Sequence, residues 1–246
     1  MRLPLLLASI ALASASAAIA RPADYQPAVA FKGRPADAVE MDAGRHPAEV
    51  LDFMGLKKGM HAVDVLTGGG YYAEIMAQAV GPKGSVVAWE PQGFADRAKD
   101  KLDPLLAREP NVKLVTDFRT AMPANSYDFA MIHLNYHDFY WESEKYGVPR
   151  TDPDKVLAVL YAAMKPGGTV AVVDHVGPAG DTRAVVDKLH RIDPETVKAD
   201  FKRAGFVLDG ESDMLRVSAD DHTKNVFDPA VRGKTDRFVY RFKKPR

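Results

Sequence analysis

Apolar residues recur along the chain with two alternating periods, and the alternation predicts most of its elements. Residues 47–54 place Pro47 at a helix start and Val50, Leu51 and Met54 at helical spacing, with Gly55 as a stop. Residues 60–66 form a short apolar run broken by polar positions, the pattern of a buried strand. Beyond three glycines, Ala73, Met76, Ala77 and Val80 fall at i, i+3, i+4 and i+7, predicting a helix that Gly81-Pro82 ends. Residues 85–90 then predict a strand closed by Glu90.

The same rhythm continues. Residues 94–106 read as a weaker helix interrupted near Pro104, 112–116 as a strand followed by Asp117, and 127–134 as a strong strand. Asp152-Pro153 supplies an N-cap and first-turn pair for a helix through Met164, and Lys165-Pro-Gly-Gly168 turns into a strand over 169–174. Asp193-Pro194 caps a further helix that Gly205 ends. Strand and helix alternating at this spacing predict a parallel, doubly wound sheet. Residues 206–208, 212–217 and 237–242 are strand candidates with little helix among them, which predicts an antiparallel finish.

Composition narrows the field. Lys+Arg and Asp+Glu balance at 33 each, so no net charge points to nucleic acid or an anionic membrane surface. Cysteine is absent, which removes disulfides, thiolate metal sites and a thiol nucleophile. Residues 1–20 carry Arg2, an apolar run and a small-residue stretch ending Ala18-Ile19-Ala20, the features of a cleaved secretory signal; proline and serine leave too few apolar positions for a stable membrane anchor. The expected organisation is a signal at 1–20, a flexible arm at 21–39 and one domain at 40–246, with a periplasmic or secreted location.

The chemistry concentrates in two stretches. Gly68-Gly69-Gly70 lies between a strand and a helix N-terminus, where bare backbone can approach a ligand and first-turn amides point at it. Glu90, twenty residues beyond Gly70 at the next strand end, is placed to accept both hydroxyl hydrogens of a ribose. Gly68-x-Gly70-x-x-Ala73 also satisfies a dinucleotide fingerprint, so an NAD-dependent oxidoreductase is one alternative. A helix before the first strand, two tyrosines after the glycines and the antiparallel ending count against it.

In these residues the chain resembles the class I S-adenosylmethionine-dependent methyltransferases. The resemblance rests on Val63-Asp-Val-Leu-Thr-Gly-Gly-Gly70, Glu90, Asp117, Tyr127-Asp128 and Lys165-Pro-Gly-Gly168. The segments GGGYY, LNYHD and VFDPAVRGKTDRFVYRF are similar to a group of bacterial methyltransferases, many with export signals. The resemblance implies an α/β, doubly wound, Rossmann-like seven-stranded sheet, mostly parallel with an antiparallel C-terminal end. It also implies S-adenosyl-L-methionine as cofactor. Asp64 would hold the loop near the methionine amino group, Arg45 would pair with the methionine carboxylate, and Asp117 would meet the adenine amino group. Leu66 stands where the family's loop has its first glycine, and its side chain is expected to push the turn away from the methionine end.

The second stretch is Leu134-Asn-Tyr-His-Asp138 at the end of the fourth strand. Methyl transfer needs donor and acceptor aligned, and a proton removed from an OH or NH acceptor. His137 is the candidate general base, Asn135 a hydrogen-bonding group for the acceptor and Tyr136 a stacking surface. Asp138 with Asp174-His175 offers only two acids, so no metal is assigned. Residues 136–150 are aromatic-rich and form a candidate lid. The expected function is methyl transfer to a small-molecule acceptor at O or N. The remaining alternative is an exported nucleoside- or small-molecule-binding protein on the same fold with catalysis lost.

Overall fold

The structure, a computed structural model, describes residues 25–246. The expected export signal and the start of the expected arm lie outside the described residues. Four short helices come first: α1 (Gln26–Val29), α2 (Ala36–Glu40), α3 (Asp42–Arg45) and α4 (Pro47–Met54). Then follow β1 (His61–Val65), α5 (Tyr71–Val80), β2 (Ser85–Trp89), α6 (Gln92–Arg97), α7 (Lys99–Arg108), β3 (Val112–Val115), α8 (Phe118–Ala121) and β4 (Tyr127–His133). A 3-10 helix (Tyr136–Tyr140) leads to α9 (Pro153–Ala163), β5 (Met164–His175), α10 (Thr182–Leu189), α11 (Pro194–Arg203), β6 (Val207–Ser212) and β7 (Arg237–Lys243).

The strands form one seven-stranded sheet in the order β3-β2-β1-β4-β5-β7-β6. The pairs among β1 to β5 are parallel, and β7 runs antiparallel to both β5 and β6. The expected architecture therefore holds. Period-two alternation decides which face each strand residue serves: Ala62, Phe129 and Met131 join the apolar layer with α4 and α5, while Val63, Val65, Ala130 and Ile132 join the layer with α9 and α11. Both layers are closed by nearly inaccessible side chains, among them Leu51, Met76, Phe129, Phe201 and Phe242. Asp152, Asp181 and Asp193 each accept a backbone hydrogen bond at the start of α9, α10 and α11, worth about 1 kcal/mol apiece.

Several boundaries differ from expectation. Residues 212–217 are not a strand: a single strand, Val207–Ser212, replaces the two expected segments, and its half-exposed edge position weakens the sequence signal. Pro104 does not break a helix; it sits inside α7, and the interruption falls earlier, at Ala98. The segment expected as a flexible arm is packed from Tyr25 onward. Tyr25 is buried with its hydroxyl donating to the Leu56 carbonyl, and Arg34 is held bidentate by Asp42 at 2.7 Å. These polar anchors leave no apolar periodicity in so short a stretch.

Candidate functional site

β1 and β4 are neighbours in the sheet, yet β1 continues toward β2 and β4 toward β5, so their carboxyl ends flank the crevice where open α/β sheets bind ligands. A cavity of about 1130 Å³ opens there. That exceeds the roughly 300–1,000 Å³ typical of a single ligand pocket, leaving space for a donor and an acceptor together.

The loop after β1 forms one wall. Leu66 adopts a left-handed backbone, φ 55°, and Gly68 follows at φ 56°. Leu66 therefore occupies the backbone region that usually selects glycine. A Cβ on Gly68 would meet nothing within 4 Å, so its bare face looks into the open cavity. Gly70 serves packing instead, because a Cβ there would stand 2.3 Å from Leu105 on α7. Asp64 accepts from the Thr67 hydroxyl at 2.6 Å, and Glu90 accepts from the Gly68 amide at 2.5 Å. Burial pushes both carboxyls up to about 7, partly offset by these hydrogen bonds. Gly69 lines the same wall.

Asn135 is the strut of this loop. Its amide donates to the Val65 carbonyl at 3.0 Å and the Leu66 carbonyl at 2.7 Å, while its own carbonyl oxygen is buried without a partner. Other buried polar atoms without partners border the cavity: Trp89 Nε1, Tyr72 Oη and His133 Nε2. Arg45 lines it too, lying over the Tyr71 ring at 4.2 Å, and no hydrogen bond of its guanidinium is seen among the described residues. A buried donor without an acceptor costs about 1–3 kcal/mol, so this ring of unmatched groups is complementary to a polar ligand.

Three expected site residues lie elsewhere. Asp117 is exposed and caps α8, its carboxylate accepting from the Thr120 amide at 2.8 Å; the neighbouring Phe118 faces the cavity, 4.7 Å from the Trp89 ring. Tyr136 is fully buried and donates to Asp200 at 2.8 Å, packed against Phe139 and Phe201, so it cannot stack on a substrate. His137 is buried beside the main cavity. Its backbone amide donates to Asp174 Oδ2 at 2.8 Å, and Nδ1 lies 2.9 Å from Asp174 Oδ1. Burial pulls its pKa down, but the Asp174 and Asp138 carboxylates override that and push it up to about 9.

His133 borders the cavity beside Tyr72, at a ring distance of 4.6 Å. Burial and the Arg45 charge hold it well below its usual pKa, so it is neutral. From the 136–150 connection, Trp141, Tyr146 and Val148 line the cavity. Arg183 ties down both ends of that connection by donating to the carbonyls of Tyr140 at 2.9 Å and Thr151 at 2.6 Å.

The family model of protein-L-isoaspartate(D-aspartate) O-methyltransferase matches residues 36–133, the span that builds the glycine loop and its acid. The structure is similar to an S-adenosylmethionine-dependent methyltransferase from Aquifex aeolicus: TM-score 0.60, 22% identity, 91% of this chain and 98% of that one. The chain has the fold of the S-adenosylmethionine-dependent methyltransferases. Phosphoethanolamine N-methyltransferase 2 from Haemonchus contortus, solved in complex with S-adenosyl-L-methionine, aligns with TM-score 0.55 at 18% identity, over 82% of this chain and 53% of that one. Demethylmenaquinone methyltransferase from Listeria welshimeri is 27% identical over 133 residues, 53% of this chain and 51% of that protein. The chain spans about half the length of the curated relatives it matches. These likenesses are of fold, and the unmatched polar rim of the cavity is complementary to a polar ligand.

Proposed function

We propose that the protein transfers a methyl group from S-adenosyl-L-methionine to a small-molecule acceptor at O or N. The observation that carries the reading is the bare Gly68 elbow tied to Glu90, facing a cavity rimmed by unmatched polar groups. When bound, the cofactor supplies an electrophilic methyl on a sulfonium. Glu90 would accept from ribose hydroxyls, Arg45 would pair with the methionine carboxylate, and Trp89 with Phe118 would flank the adenine. Asp64 and the Asn135 strut hold the loop in shape.

The acceptor end is walled by Leu134, Phe139, Trp141 and Val148, which suits a compact, largely apolar molecule. His137 does not suit a resting base, because without a bound cation its imidazole, with a pKa of about 9, already carries its proton at neutral pH. Neutral His133, the unmatched Asn135 carbonyl and the Asp138 carboxylate are among the groups at the cavity able to accept a hydrogen bond from an acceptor OH or NH.

Thermal unfolding with S-adenosylhomocysteine tests the reading. Ligand at a hundredfold excess over Kd adds about 2.7 kcal/mol to stability. Gly68→Val should abolish that gain, since a side chain there is strained at φ 56° and enters the cavity. Stabilisation by NADH with none by S-adenosylhomocysteine would transfer the protein to the oxidoreductases. Binding without turnover of any acceptor would favour the binding-protein alternative. The proposal includes export to the periplasm or beyond, and a mature chain starting at Arg21 in N-terminal sequencing supports it, whereas an intact Met1 refutes it.

A further inference from the structure

Beside the main cavity lies a smaller one of about 470 Å³, and Leu134, Asp138 and Trp141 border both. Four side chains with metal-binding atoms face the smaller space: His137, Asp138, His175 and His190. In three of them, His137, Asp138 and His190, one ligand atom each lies within 4.8 Å of the others. His137 Nε2 is 3.5 Å from Asp138 Oδ1, and His190 Nδ1 is 3.9 Å from the same oxygen. Donor atoms sharing an ion at about 2.1 Å stand roughly 3.0–3.5 Å apart, so the three are close to a coordination face as they stand.

We propose that His137, Asp138 and His190 bind a divalent first-row transition ion, such as zinc, manganese or iron, at the junction of the two cavities. Two imidazoles and one carboxylate on one side of an ion form a donor set with positions left open. The supporting groups are arranged for this. Asp174 engages His137 through Nδ1, which leaves Nε2 as the atom facing Asp138 and repeats the carboxylate–histidine pairing that orients metal-ligating imidazoles. His190 closes α10 in a left-handed conformation, φ 49°, costly for a residue other than glycine. Trp141 and Phe227 hold its ring edge to face, each at 5.1 Å. The Asp138 carboxylate accepts no hydrogen bond and pairs with no lysine or arginine among the described residues.

The grouping of Asp138 with Asp174-His175, to which the sequence assigned no metal, does not form. Asp174 is buried and committed to His137, and His175 Nδ1 is committed to Thr235 at 2.7 Å. The site instead recruits His190, distant in sequence. Resting on the methyltransferase reading, the ion's open positions would face the acceptor end. There they would hold an acceptor bearing a metal-binding oxygen and lower the pKa of its hydroxyl.

The test uses the full mature chain, stripped with a chelator and titrated with Co²⁺ by visible absorption and with Zn²⁺ by calorimetry. One ion per chain is expected. His190→Asn, which tolerates a left-handed backbone, and Asp138→Asn should each weaken binding roughly tenfold or more. His190→Asn should leave S-adenosylhomocysteine affinity unchanged. A folded chain that takes up no Co²⁺ or Zn²⁺, or variants that bind like the parent, overturns the site. Loss of S-adenosylhomocysteine binding with metal uptake intact would instead sink the donor reading and leave the ion site standing; if His190→Asn fails to fold, Asp138→Asn at the rim carries the metal test alone.

Discussion

Replacing Leu66 by alanine and, separately, by glycine separates backbone from side chain at the turn of the donor loop. Leu66 sits at φ 55°, half-buried against the layer that contains Val65 and Trp89. Both variants lose the same packing beyond Cβ, worth about 1–2 kcal/mol for a half-buried leucine. They differ in the Cβ itself. Alanine retains a left-handed conformation that costs an L-residue about 1–2 kcal/mol, whereas glycine does not. Glycine in turn loses about 0.4–1 kcal/mol through the greater freedom of its unfolded chain. The net expectation is that Leu66→Gly is more stable than Leu66→Ala by roughly 0.5–1 kcal/mol, the reverse of the usual order of these residues. Urea unfolding at one pH, with unchanged m-values, measures it. If alanine proves as stable as glycine or more so, Leu66 is not left-handed, and the explanation of how the loop tolerates it fails.

The other expectations concern the rim and the frame. Glu90 has an ordinary pKa of 4.5, raised by burial to about 7 in the folded chain, so the folded state holds a proton that the unfolded chain releases. The resulting stability is fully present below about pH 4.5 and lost as pH rises through 7, at up to about 1.4 kcal/mol per unit. S-adenosylhomocysteine, which needs the carboxylate, should bind more tightly over the same rise, and calorimetry of Glu90→Gln should show weaker, pH-flat binding. Arg45→Met should lower S-adenosylhomocysteine affinity about 10- to 100-fold, the value of a charged hydrogen bond, while thermal unfolding of the unliganded chain is unchanged or improved. Arg191 is fully buried and bidentate to Asp220 at 2.8 and 3.0 Å, so Asp220→Ala should cost about 3–5 kcal/mol in denaturant unfolding.

What the sequence made legible was whatever one local pattern decides. Strand alternation separates Ala62 from Val63 and Met131 from Ile132, and it assigns the two faces before any contact is known. Gly68 and Glu90 were legible because a strand end, a bare turn and an acid at the next strand end form a local signature, and the structure joins them. The packed segment from Tyr25 was not legible. It is fixed by Arg34 with Asp42 and by Tyr25 with the distant Leu56 carbonyl, polar contacts without periodicity. His190 was invisible for the same reason, since only the fold brings it beside Asp138.

The stretch Asn135-Tyr-His-Asp138 shows why local chemistry misleads about sites. Read as a strip, all four residues seemed to share one cavity. The residues after β4 instead enter a 3-10 helix, whose three residues per turn send successive side chains in different directions. Asn135 turns back to the Leu66 carbonyl, Tyr136 goes into the core to Asp200, His137 goes across to Asp174, and Asp138 faces the two cavities. Substituting Tyr136 should therefore act through stability, Asn135 through loop shape, and His137 and Asp138 through whatever occupies the space between them. Had the strand continued, alternation would have placed Asn135 and His137 on one face together, and the general-base reading of His137 would have kept its geometry.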